Sequence, residues 1–184
     1  MARLIDVQSA QRSWAERNFP PEALLAPWPL HGAGEKLREF SQALATGDRL
    51  DALADAGIFL LHFCTLSNFW LVDCLGRDIE RDLHYVMGEC SRFANRTSAE
   101  GMSLHLFKRF SLVETAALKL VQGGLRGATI NALKECVAEF WLTLAAAAYV
   151  VGDGVSFTDL VLDTWAKVAK RDWKANPETG RADG

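Results

Sequence analysis

The 184-residue sequence lacks an excess of positive charge: 20 Lys and Arg stand against 23 Asp and Glu, for a formal net charge of -3 and a pI near 5.8. A surface that binds nucleic acid normally shows a basic excess or stripe, so nucleic acid is not an expected partner. None of the four cysteines, Cys64, Cys74, Cys90 and Cys136, forms a CxxC pair, which leaves a zinc site or a dithiol redox motif without support. A reduced, cytoplasmic compartment fits that usage. The opening MARLIDVQSAQRSWAERNFP has no apolar core of the signal-peptide kind. The most apolar run, Ala52 to Val72, is interrupted by Asp55, His62, Ser67 and Asn68, so a buried helix is expected there and no membrane span. No segment alternates as a strand with hairpin signals. Prolines are few, and four of the five fall between Pro20 and Pro29.

What is present is helical periodicity. With 49% hydrophobic and 23% charged residues, the chain has material for a sizeable core and reads as a single all-α unit over 1–184. Leu4, Val7, Gln8, Gln11, Trp14 and Asn18 share a helical spacing that Pro20 and Pro21 stop. The proline-rich stretch predicts an extended connector held to the core by Leu24, Leu25 and Trp28. A second helix is expected from Leu30 through Ala33, Leu37, Phe40 and Leu44, then a turn at 46–48. A third is expected from Arg49 to Val72, apolar nearly all round and kinked at Gly57.

Chemistry concentrates between Gly34 and Phe63. Glu35 and Glu39 lie one turn apart on the second predicted helix, and Asp51 and Asp55 one turn apart on the third. Packed antiparallel, the two helices would bring four carboxylates together, an arrangement that calls for a cation such as Mg²⁺ or Mn²⁺. The bland reading gives Asp51 to a helix's first turn and Glu35 to a neighbouring base. His31, His62, His84 and His105 receive no role, and His62 on the apolar helix is read as a satisfied core group.

Four blocks, RSWAERNFP (12–20), PLHGAGEKLREF (29–40), DALADAGIFLLHFC (51–64) and DTWAKVAKRDWKANPETG (163–180), together resemble the MazG-like all-α nucleotide pyrophosphohydrolases of phage and bacterial genomes. The resemblance implies a MazG-like helical bundle. It implies Mg²⁺-dependent hydrolysis of a nucleoside triphosphate, foremost a deoxynucleoside triphosphate, to the monophosphate and pyrophosphate, in the host cytoplasm if the gene is phage-borne. Metal held by carboxylates can neutralise phosphate oxygens and present a water, so no Ser, Cys or His nucleophile is needed. The family pattern is Glu-Glu-x-x-Glu followed by Glu-x-x-Asp. This chain has Lys36 and Ala52 at two of those acidic positions, with Asp51 adjacent to Ala52 as a substitute. Lys36 either meets a substrate phosphate or marks a site that has lost its chemistry. By the same resemblance, Lys170 or Arg171 would meet the triphosphate, and Trp14, Asn18 and Trp173 would line a base pocket.

The second half repeats part of this pattern. SLVETAALKLVQG (111–123) and NALKECVAEFWLTLAAAAYVVG (131–152) place Glu135 and Glu139 before an apolar run, as Asp51 and Asp55 are placed. The expectation is an internal tandem duplication, repeat A over 1–76 and a diverged repeat B over 77–160, with a C-terminal helix over 156–175. In one register Glu114 falls near the Lys36 position. In another, HYVMGECSRF (84–93) makes Glu89 the counterpart of Glu35. Such a pseudo-dimer would supply in one chain what a homodimer of a single-copy relative supplies, so a monomer and a homo-oligomer both stay open. Two rivals remain: a catalytically degenerate relative that binds nucleotides or supports an assembly, and a plain helical scaffold.

Overall fold

A computed structural model describes residues 2–21, 24–76, 79–95, 99–123 and 127–175. The described residues form seven α-helices and no strand: α1 (Ala2–Asn18), α2 (Pro27–Gln42), α3 (Thr46–Leu66), α4 (Ile79–Ala94), α5 (Ala99–Gly123), α6 (Gly127–Val151) and α7 (Phe157–Val168), with a 3₁₀ turn at Leu71–Asp73. The all-α expectation holds. Among the described residues no helix is long and apolar enough to cross a membrane. Residues 124–126 and the end of the last resembling block, 176–180, lie outside the described residues.

α2 and α3 are joined by three residues, which forces them antiparallel, and they make the most extensive helix contact among the described residues. α5 and α6 form a second such hairpin. α2 packs on α5 and α3 on α6, while α1 lies against α3 and α4 against α6. α7 covers α1, α3 and α6. The apolar stripes read from the sequence become this core: Leu37, Phe40, Leu53, Leu60 and Leu61 from the first hairpin, and Leu106, Leu133, Phe140 and Leu144 from the second, all effectively removed from water. Burial of each such side chain contributes about 1.5–3 kcal/mol, which is why the periodicity dictates the interior.

Helix ends depart from expectation, each for a local reason. α2 begins at Pro27 and not Leu30, because proline at the first helical position loses no intrahelical bond. The connector before it is held by Leu24, whereas Leu25 and Trp28 are exposed, as is Leu44 beyond the end of α2. α3 stops at Leu66 rather than Val72. Asn68 takes a left-handed conformation with φ 58°, Phe69 N–H returns to the Cys64 carbonyl at 3.1 Å, and the Leu71 N–H donates to buried Gln8 Oε1 at 2.9 Å. α7 ends at Val168, so the expected helix over 156–175 is shorter and its last residues fold back over α1. At Gly57, a Cβ would stand 2.8 Å from Phe157 and 2.9 Å from Val161, so this glycine permits the close approach of α7 to α3.

Candidate functional site

A cavity of about 280 Å³ opens where α1, α2, α3 and the chain around α7 meet. α1 supplies Gln11 and Trp14, α2 supplies Glu35 and Lys36, and α3 supplies Asp55, Ile58, Phe59 and His62. Trp165 comes from α7, and Arg171 and Trp173 from the segment after it. The spacings 11/14 and 55/58/59/62 are those of one helix face, so each helix delivers its set because adjacent turns point the same way. A Cβ on Gly32 would lie 2.5 Å from the Phe59 ring; only glycine there lets that ring lie against α2.

The walls are aromatic and tied together across the chain. Trp14 and Trp165 meet edge to face with ring centroids 5.7 Å apart, and the Trp14 indole N–H donates to the Arg171 carbonyl at 3.2 Å. Asn18 Nδ2 donates to the Trp14 carbonyl at 2.9 Å, while its Oδ1 accepts from the Trp173 N–H at 2.7 Å. The Asn18 amide thus anchors the returning segment, and it lines the adjoining open groove instead of this cavity. The Arg171 guanidinium stacks over the Trp173 ring at 6.0 Å.

The charged side is built around Lys36. Its Nζ lies 2.9 Å from Glu39 Oε2 and 3.3 Å from Asp55 Oδ2, bridging α2 and α3. Burial opposes the ammonium's charge, but the hydrogen bond to Glu39 and the charge of Asp55 outweigh it and hold its pKa above the ordinary 10.5. Asp55 moves the other way on charge: burial is the largest influence and raises its pKa above 3.8, against the pull of Lys36 and Arg171. Both pKa values thus rise, which favours the charged form of Lys36 and the neutral form of Asp55, the more buried of the two carboxylates that share the ammonium. Lys36 is the partner held firmly in its charged form.

The remaining expected ligands lie apart from this cluster. Glu35 lines the cavity but pairs with Arg38 at 3.5 Å, and Asp51 is exposed on α3. Lys170 is exposed and does not line the cavity. Glu135 is exposed, and Glu139 pairs with Arg109 Nη1 on α5 at 3.4 Å. Arg109 lies five positions before Glu114, so it is Arg109 that reaches across the second hairpin. Among the described residues, no three His, Cys, Asp or Glu side chains are grouped to hold a metal ion. The fit of Mg²⁺ or Mn²⁺ can be judged from Lys36, whose Nζ stands where a cation shared by Glu39 and Asp55 would stand. As arranged, these carboxylates hold an ammonium and do not fit a divalent ion.

One feature escaped sequence reasoning, and two residues that it named stand in other surroundings than expected. Gln11 and Trp165 line the cavity; the only sequence signal was a glutamine at a core position of an otherwise apolar face. His62 is not the satisfied core group expected: burial lowers its pKa to about 4, and its buried Nε2 has no partner. Glu89 on α4, 1% exposed, is clasped by Arg92 and His105 and lies 3.7 Å from Arg109 Nη2, with Tyr85 and Thr143 hydroxyls bonded at 3.0 Å nearby. That cluster joins α4, α5 and α6, and it gives Glu139 a packing role.

No family model, curated protein or solved structure matches the chain.

Proposed function

We propose that this chain is a MazG-like nucleotide-binding protein in which a nucleobase sits among the tryptophans and the phosphates lie toward Lys36 and Arg171. The observation that supports the reading is one cavity that combines Trp14, Trp165 and Trp173 with two cations. Aromatic faces stack bases of any kind, and a guanidinium matches phosphate oxygens in bidentate fashion. Lys36, standing at an acidic position of the MazG-like pattern, supplies in this reading the positive charge that a metal supplies in the hydrolases. In the same proposal the hairpins α2–α3 and α5–α6 are diverged copies, and the chain is a monomeric pseudo-dimer with one working pocket.

A second reading, Mg²⁺-dependent hydrolysis of a nucleoside triphosphate to the monophosphate and pyrophosphate, is favoured by one observation: Glu35 and Asp55, on adjacent helices, both line the cavity. In that reading Glu35 and Asp55 would hold the ion, which would supply charge neutralisation at the phosphates, and Lys36 would no longer bridge Glu39 and Asp55.

Titration of the protein with the four deoxynucleoside triphosphates, followed by tryptophan fluorescence with and without Mg²⁺, tests the first reading. Binding without Mg²⁺ that weakens about tenfold or more in Lys36→Ala is expected, since a charged hydrogen bond contributes about 1.5–3 kcal/mol. Absence of binding to all four would sink the proposal. Pyrophosphate release that depends on Mg²⁺ and disappears in Asp55→Asn would install the second reading in its place.

A further inference from the structure

The amide of Gln11 is 1% exposed, and its two ends are distinguishable. Nε2 donates to the Ile58 carbonyl at 3.0 Å, and because a carbonyl can only accept, the opposite atom must be the oxygen. That Oε1 is buried and has no partner. One turn beyond Ile58, His62 Nε2 is also buried and unpartnered. Both residues line the same cavity. Buried polar atoms are nearly always paired, so two unpartnered atoms on residues that line one aromatic cavity are where an entering ligand would complete the bonding. Burial keeps the imidazole neutral at physiological pH, so it presents no charge that would compete with the stacking of an uncharged ring.

We infer that Gln11 and His62 are the base-reading floor of the pocket, with Gln11 Oε1 accepting an N–H from the edge of a nucleobase and His62 Nε2 making the second polar contact. The inference rests on the nucleotide reading above and adds the polar contact that would fix a base's N–H edge in the pocket. The Gln11 amide is pinned by its bond to α3, so the unpaired end that it offers a ligand is the acceptor oxygen. An edge with an amino or imino N–H is accepted. The same ring with that position blocked leaves the oxygen unpaired, a mismatch sites of this kind reject strongly.

The probes are dATP, dGTP, dCTP and dTTP, followed by the analogue of the preferred one whose edge N–H groups are replaced by N-methyl. Binding is followed by tryptophan fluorescence on the full chain. The wild type is expected to bind the parent about tenfold or more tightly than its methylated analogue. In Gln11→Met, which keeps length and bulk but replaces the amide oxygen by a weakly accepting thioether, the ratio is expected to fall toward one. Equal binding of parent and analogue by the wild type overturns the inference and leaves nucleotide binding intact, since solvent would then satisfy the two atoms. A ratio that persists unchanged in Gln11→Met also overturns it, by placing the discrimination in shape alone. No binding of any of the four nucleotides overturns both readings. Should Gln11→Met fail to fold, His62→Gln serves as the second variant, with a smaller fall in the same ratio expected and an unchanged ratio counting against the inference.

Discussion

Replacing His62 by leucine removes a group whose protonation the fold resists, and the consequence can be calculated before it is measured. Burial lowers the imidazole pKa from the ordinary 6.5 to about 4. Between those values the unfolded chain carries the proton and the folded chain does not, so the unfolded state binds more protons and stability falls as pH falls. Above pH 6.5 the histidine costs nothing on this account. The full penalty, reached below pH 4, is about 3 kcal/mol at 1.36 kcal/mol per unit, and about 2 kcal/mol of it is felt by pH 5. Asp55 has the opposite tendency: its raised pKa favours the fold below 3.8, and that contribution disappears as pH rises through the folded value. It is common to wild type and variant and cancels in the difference. The assay is urea unfolding followed by far-ultraviolet circular dichroism at pH 7.5, 6 and 5. The stability of the wild type relative to His62→Leu should decline by about 2 kcal/mol across that range. A difference that stays constant with pH would mean that His62 titrates as in water and that its environment is wetter than the geometry describes.

Two further substitutions probe packing away from the cavity's polar groups. Gly57→Ala should destabilise the chain by about 1–3 kcal/mol, because the new methyl meets Phe157 and Val161 well inside van der Waals contact. Thermal unfolding of the variant reads this directly, and an unchanged midpoint would show that α7 can move outward freely. Glu89→Ala should cost about 3–5 kcal/mol by leaving His105 without its carboxylate and Arg109 with Glu139 alone. Urea unfolding measures it, and a loss under 1 kcal/mol would show that the cluster is solvated rather than structural.

Periodicity made the interior legible. The runs that carry Leu37, Phe40, Leu60, Leu61, Phe140 and Leu144 state their own burial, since a stripe every 3.6 residues has only one way to leave water. The ends of α3 and α7 were not legible in the same way. α3 is ended by Asn68 with the help of Gln8, and the turn after α7 is held by Trp14 and Asn18, partners 155 and 157 positions away. A reading confined to neighbouring residues cannot weigh such bonds. The site divides along similar lines. Spacing placed Glu39, Lys36 and Asp55 on facing helix surfaces, but it could not say which group would occupy the middle; three-dimensional packing put the ammonium there. Gln11 was visible only as one more position on a core face. Its importance depends on a single fact, which end of its amide meets the Ile58 carbonyl.

The tie between the first helix and the segment that follows α7 also orders events in time. Trp14 and Asn18 are synthesised early, whereas Arg171 and Trp173, which they bond, arrive after all seven helices have been made. Domains emerge and fold from the N-terminal side during synthesis, yet this pocket cannot close until its most distant wall is delivered. A ribosome-bound nascent chain that has reached only α6 would contain both hairpins and most of the core, and still have no enclosed cavity. On the proposed nucleotide reading, capture would be restricted to chains whose translation has passed Trp173.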